Sequence, residues 1–394
     1  MRYLHSLFAL LIFASTAQAQ VKMGAVGDSL LDEHFDQSGF GVSLGYSMNA
    51  LELMRADGQI DLGSTGNWGG TRGTGYEYNW ALAGSTTDSL IADGQHLNLA
   101  AQIPTAGITK AVMIVGSNNL FPYPPNSDPL NQGPSGSYQA IYEGLAAPAM
   151  IQQLAAQAVN EVIAAAQAIR ATGVDLIVAT APDYGITPVA KRFYPDAAKR
   201  NAVDDVLELY NINAIQRLTT EVGVPVVDLY TLTKDMWGDH GQENSVFTIG
   251  GVDFDLEGTG GIDLDQLLND GTFSDTPTDD VADAFVHDGF HPNTGLNGLF
   301  ANVFMTAFNQ EFNDDFMLFS EQKILELGGP TLGSMYTQDT LASSLAGKTY
   351  ADYVISPTAV PEPGSFLLLV GTTVLGFVGY RLKTNPSPIG NRVP

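Results

Sequence analysis

Met23-Gly24-Ala25-Val26-Gly27-Asp28-Ser29-Leu30 is a short apolar run that stops at a serine just past a glycine. It reads as a buried strand with Ser29 at its carboxyl end, where open parallel sheets hold their ligands. Gly27 permits the tight turn and close approach that a Cβ would obstruct. Ser29 is therefore a candidate nucleophile. Taken alone, Gly-Asp-Ser is an ordinary turn. A catalytic serine also needs a base, an acid to orient that base, and donors for the developing oxyanion.

The same strand-then-turn grammar recurs along the chain. Residues 76–83 are aromatic and apolar and break at Gly84-Ser85-Thr86, which predicts a second strand. Residues 111–115 form a continuous apolar run that breaks at Gly116-Ser117-Asn118-Asn119. Residues 149–171 place Ile151, Leu154, Ala158, Val162, Ala165 and Ile169 on one helical face, closed by Gly173. Strand 174–180, helix 197–222, strand 224–230 and a last helix over 294–312 follow. Strands alternating with helices predict a parallel sheet covered on both faces: a three-layer α/β/α domain of about five strands.

Between the elements, residues 30–53 have the loose spacing of an amphipathic helix with glycines that suggest a loop over the site. Residues 62–75 and the proline-rich 121–137 read as loops. The span 235–285 lacks any Lys or Arg and is crowded with Asp and Gly toward its end, which reads as an acidic inserted loop region. There Asp253, Asp255, Glu257 and Gly258 loosely suggest a calcium loop, but Leu264 stands where an EF-hand needs its closing glutamate. A solvated acidic surface is the simpler reading. Residues 313–357 form a mixed extension.

Composition excludes several classes. The chain has 394 residues, 44% of them hydrophobic, which suffices for a substantial core. A net charge of -26 with only 17 Lys plus Arg argues against nucleic acid or anionic lipid as partner. With no cysteine, thiolate catalysis, disulfides and cysteine-ligated metals are out.

The two ends speak to compartment. Arg2, the apolar run over 7–13 and the small-residue pattern Ala17-Gln18-Ala19 have the order of a secretory signal peptide, removed near Gln20. Val360-Pro361-Glu362-Pro363-Gly364 precedes an apolar stretch over 366–380, closed by Arg381 and Lys383. This order is similar to the PEP-CTERM sorting signal of Gram-negative bacteria, although residues 384–394 continue past the basic stop. The resemblance implies recognition by a sorting protease, an exosortase, and release to the envelope or extracellular matrix. The apolar stretch itself reads as a short transmembrane helix with its positive end inside. The expected division is thus a signal peptide over 1–19, a catalytic domain over 20–320, an extension over 321–358, the sorting signal with its helix over 359–383, and a tail over 384–394.

Asp288-Gly289-Phe290-His291-Pro292 supplies the second half of a site. An acid and a histidine three apart on one loop can form the orienting pair of a triad, the carboxylate holding Nδ1–H and Nε2 facing the serine. His287 and His291 also have the spacing of a zinc helix. Gly289 weakens a helix there, and Pro292 pushes His291 out of the α region, so the two rings would not share a face.

With these pieces in order, the chain resembles the SGNH, or GDSL-type, hydrolases. The blocks are Gly27-Asp28-Ser29-Leu30 with Asp32 after it; Asn79-Trp80-Ala81-Leu82-Ala83-Gly84-Ser85-Thr86; Gly116-Ser117-Asn118-Asn119; and Asp288-x-x-His291. The resemblance implies a flavodoxin-like sheet, Ser29 as nucleophile, His291 as base and Asp288 as orienting acid. It also implies an oxyanion hole from the Ser29 and Gly84 amides and the Asn118 side chain, with no metal or organic cofactor. Ala83 and Asn119 depart from the family's glycine and aspartate, which bears on substrate range more than on activity. The function expected is that of a secreted serine esterase acting on a small-molecule or polysaccharide carboxylic ester. The alternative is a non-catalytic matrix protein that binds calcium or partners through the acidic insertion.

Overall fold

The computed structural model describes residues 20–33, 48–70, 72–122, 125, 137–258, 281–286 and 289–357. Strand β1 (Val21–Gly27) is followed by helix α1 (Ala50–Ala56), the two-residue strand β2 (Ile60–Asp61), and a hairpin of β3 (Thr65–Gly69) and β4 (Gly73–Tyr76). Helices α2 (Thr87–Ala92) and α3 (Gln95–Ala106) lead to β5 (Lys110–Ile114). Then come α4 (Ser137–Tyr142), α5 (Pro148–Arg170), β6 (Asp175–Ala179), α6 (Pro188–Phe193), α7 (Ala197–Arg217), β7 (Val226–Val227) and α8 (Leu229–Trp237). A hairpin of β8 (Val246–Ile249) and β9 (Val252–Asp255), helix α9 (Thr294–Phe312) and strand β10 (Val354–Ile355) complete what positions the site.

Among the described residues the main sheet has six strands in the order β10-β7-β6-β5-β1-β2. Counted by position, its five parallel strands run 2-1-3-4-5, the flavodoxin-like order, and β10 adds an antiparallel edge. The strand order reverses between β1 and β5, which pair in register from Met23–Lys110 to Gly27–Ile114. That reversal opens a crevice at the carboxyl ends of these two strands, and both candidate oxyanion turns leave from there.

The period-2 alternation of a strand divides the core into two layers. Met23 and Ala25 with Val112 and Ile114 face the layer containing α1 and α9. Val26 with Ala111 and Met113 faces α3, α5 and α7. The sheet is thus buried on both sides, and continuous apolar runs such as Ala111–Ile114 follow from that.

Several expectations are refined. Residues 77–83 do not form a strand. They run beside β1 beyond the short β2, through Ala25 N–H to Tyr78 O, Trp80 N–H to Ala25 O and Leu82 N–H to Gly27 O. The expected strand at 224–230 shrinks to Val226–Val227, because Asp228 accepts from Thr231 N–H and starts α8 at once. The expected loop at 62–75 contains the β3–β4 hairpin. Residues 246–255 form a hairpin rather than a calcium loop: Asp253 accepts from the Thr248 hydroxyl, Asp255 from Glu257 N–H, and Glu257 pairs with Lys191. Residues 313–357 pack back on the domain, with Phe319 and Tyr353 buried and β10 pairing to β7.

The expected transmembrane helix is corrected. No helix of the described residues is long and apolar enough to cross a membrane. The stretch over 366–380, which lies outside the described residues, is only about 15 residues with three glycines, against the about 20 a bilayer requires.

Candidate active site

Ser29 sits in the turn immediately after β1, where Asp28 N–H donates to Ile114 O and the amides of Leu31 and Asp32 both donate to Asp28 O. Gly27 has φ +146°, and a Cβ there would stand 1.9 Å from Ile114 O, so the turn lies flush against β5. His291 comes from the loop that starts α9. Its carbonyl accepts from Val286 N–H at 2.9 Å, and Asn293 caps α9 by accepting from Leu296 N–H. Asn297 reaches back to hold Pro292 O at 2.8 Å. These bonds bring His291 Nε2 to 2.6 Å from Ser29 Oγ across 262 residues of sequence. Both side chains are buried, and the Tyr184 ring meets the imidazole edge-on at 6.3 Å. Asp288 and His287 lie outside the described residues.

The other expected residues converge on the same turn. Gly84 adopts φ +77°, a left-handed conformation suited to glycine, in a turn closed by Ser85 N–H to Leu82 O. Asn118 follows β5, and its side-chain amide donates to Ser85 O at 3.0 Å. The first, second and third sequence blocks are therefore in direct contact. Asn119, which stands where the family pattern has an acid, pairs with the start of α2. Its oxygen accepts from Thr87 N–H at 3.0 Å and its amide donates to the Thr87 hydroxyl at 2.9 Å.

Sequence reasoning missed the residues that couple these blocks. Gln95, buried at the start of α3, accepts from Gly27 N–H at 2.9 Å and donates to Ser85 Oγ at 2.9 Å. It joins the end of β1 to the Gly84 turn. Its sequence signature is a polar side chain on the buried stripe Gln95, Leu99, Ile103 of an otherwise apolar helix face.

Three acids surround Ser29. Asp32 accepts from Ala83 N–H at 2.7 Å and so anchors the loop carrying Gly84. Glu33 accepts from Tyr76 N–H and from the Asn79 side chain, and burial pushes it up to about 8. Asp28 is fully buried: Oδ1 accepts from Leu30 N–H, Oδ2 makes no hydrogen bond, and desolvation lifts the carboxyl to about 7. The Arg72 guanidinium, stacked against Trp80, faces Glu33 and is itself brought down to about 10 by burial.

A doubly covered parallel sheet with a hydrogen-bonded serine and histidine at its switch point defines the class: a three-layer α/β protein equipped for nucleophilic chemistry. Comparison with known families adds that residues 359–383 match the PEP-CTERM protein-sorting motif, so the carboxyl end carries a protein-sorting signal. No curated protein matches the chain. Among solved structures, an extracellular lipase from Streptomyces rimosus aligns over 69% of this chain and 92% of its own, with 13% identity and a TM-score of 0.35. TesA aligns over 57% and 86% with 18% identity and a TM-score of 0.27. LAE5, an alpha/beta hydrolase enzyme from the metagenome of Lake Arreo, Spain, aligns over 57% and 88% with 14% identity and a TM-score of 0.30. Overlaps of this depth transfer no function, and the functional reading rests on the site itself.

Proposed function

We propose that this chain is an exported serine ester hydrolase. The observation that carries the reading is the 2.6 Å contact between Ser29 Oγ and His291 Nε2 at the β1/β5 switch point. Ser29 Oγ attacks the ester carbonyl carbon while its proton passes to His291 Nε2. The alcohol then leaves with that proton, and a water activated by the same imidazole releases the acid. Asp288 is assigned to orient the imidazole from its neighbouring place in the loop. The negative charge that develops on the carbonyl oxygen is assigned to the amides of Ser29 and Gly84 and the Asn118 side chain; one such donor is worth about 10²- to 10³-fold in turnover. The Asn118–Ser85 bond supports this grouping, since it ties the side-chain donor to the loop carrying Gly84.

No metal or organic cofactor enters this chemistry. The carboxyl-terminal motif supports recognition by an exosortase and passage to the envelope or extracellular matrix, and the first 19 residues are assigned as the export signal. Acetyl esters of a matrix polysaccharide, or short-chain and lipid esters, are the substrates consistent with that location. The test is hydrolysis of p-nitrophenyl acetate and butyrate by the full chain and by Ser29→Ala. The expected loss in the variant is about 10³-fold or more. Equal rates in the two proteins would refute the assignment.

A further inference from the structure

A second cluster of ionisable groups lies one strand along from Asn118, outside the Ser29 machinery. Asp183 follows β6, Asp204 stands on α7, and His240 follows α8. Each offers a ligand atom, and the three atoms lie within 4.8 Å of one another. His240 Nε2 and Asp183 Oδ2 are paired at 2.8 Å, and both side chains are buried. In this state the imidazole and the carboxylate serve as each other's partner, and a bound ion would replace that pairing with shared ligation. Two buried polar atoms beside them, Ser117 Oγ and the Tyr138 hydroxyl, have no hydrogen-bond partner. Both residues line the same cavity as Asp183 and Asp204, with about 10 Å³ of room, the size of one water or one ion.

We propose that Asp183, Asp204 and His240 form a binding site for a divalent ion of the zinc or manganese class. Two carboxylates and an imidazole are the donor set that suits such ions, whereas calcium prefers oxygen alone. Cationic groups now hold the ion's place. Lys234 Nζ stands 2.8 Å from Asp204 Oδ2, and Arg200 Nε donates to His240 Nδ1 at 3.2 Å. Each has somewhere else to go. Lys234 is already 3.4 Å from Asp239, and Arg200 is already bonded to Glu243 and to Tyr194 O. When Nε2 turns to the ion, the imidazole proton resides on Nδ1, which faces the Glu243 carboxylate 4.0 Å away. A carboxylate behind a ligating histidine is the usual support of such a ligand. The ion's effect is to brace the active-site end of the sheet. Ser117 precedes the candidate oxyanion residue Asn118, and Tyr184, which lines the cavity, packs against the His291 ring.

The test is metal binding, independent of esterase activity. Full-length, tag-free chain is stripped with EDTA and dialysed against Zn²⁺ or Mn²⁺ with millimolar Mg²⁺ present to occupy the acidic surface. Metal content, calorimetry and the thermal midpoint are then read. One equivalent is expected, with a raised Tm. Asp204→Asn and His240→Gln should each weaken binding by about tenfold or more, as losses around metal sites generally do. The Co²⁺ derivative of the unmutated protein should show the absorption of a mixed nitrogen and oxygen site, which covers the case of a variant that does not fold. No stoichiometric binding of either ion, binding unchanged in both folded variants, or a Co²⁺ spectrum without an imidazole ligand would each overturn the site.

Discussion

Asp28→Asn gives a sharp test of the electrostatics around Ser29, the proposed nucleophile. The Asp28 carboxyl has no solvent exposure, Oδ1 takes one N–H from Leu30 at 3.1 Å, and Oδ2 makes no hydrogen bond. Desolvation raises it from 3.8 to about 7, Asp32 pushes in the same direction, and the Leu30 amide and His291 oppose. The folded state therefore holds this proton more tightly than the unfolded chain does. Its contribution to stability is complete below pH ~3.8 and declines by about 1.36 kcal/mol per pH unit until pH ~7. Between pH 5 and pH 8, two of the three units fall inside that window, a loss of about 2.7 kcal/mol. An asparagine keeps the acceptor for Leu30 N–H and has no proton to lose. Its unpaired NH₂ costs about 1–3 kcal/mol at both pH values and cancels in the comparison. Glu33 titrates in the same direction in both proteins and cancels as well. Urea unfolding of the full chain should therefore show the variant gaining on the wild type by about 2–3 kcal/mol from pH 5 to pH 8. A difference between the two proteins that is the same at both pH values within about 0.5 kcal/mol would refute a buried, proton-holding Asp28.

Other substitutions probe how the blocks are held together. Gly27→Ala places a Cβ 1.9 Å from Ile114 O at φ +146°, so β1 must part from β5; a loss of about 3 kcal/mol or more is expected in urea unfolding, and a loss under 1 would refute the close approach. Gln95→Ala leaves the buried Gly27 N–H and Ser85 Oγ without their shared partner. It should cost about 1–3 kcal/mol in the same assay and lower kcat more than it raises KM, because the Gly84 turn loses its anchor. Asn119→Asp restores the acid of the family pattern but sets a second carboxylate on the Thr87 hydroxyl, which already donates to Glu161 at 2.6 Å; a lower Tm with kcat within about threefold is expected.

The parallel core was legible because its strands are buried on both faces. Nothing but continuous apolar runs satisfies β1, β5 and β6, and the glycines at 27 and 116 mark where those runs end. Helix α5 was legible from its apolar stripe, whereas α9 is buried all round over residues 294–308 and shows none. What escaped was short or borrowed. β2 and β10 are two residues each, too brief for any periodicity, and β10 joins β7 from more than a hundred residues away. Residues 77–83 look like a strand, but Asn79 N–H closes a turn onto Tyr76 O and its side chain is spent on Leu31 O, Glu33 and the Ala81 amide. The Ser29–His291 pair was readable as motifs, since each carries its own turn chemistry. Gln95 and Asp28 were not, because their roles depend on which backbone groups the fold brings beside them.

The bonds around Ser29 also give a physical reason for the four blocks to occur together. Asp32 of the first block holds the Ala83 amide of the second, and Asn79 of the second holds Leu31 O of the first. Asn118 of the third holds Ser85 O of the second, and Gln95 joins Gly27 to Ser85. Asn79, Asn118 and Gln95 are buried, so the loss of any of these three strands a partner in another block at about 1–3 kcal/mol, whereas the Asp32 bond to Ala83 is exposed. The turn bearing Ser29 and the turn bearing Gly84 are thereby made one rigid unit at the switch point. His291 alone arrives from outside that unit, held by the start of α9 through Asn293 and Asn297. It follows that changes in the first three blocks should disturb stability and turnover together, whereas changes that shift only the His291 loop should disturb turnover alone.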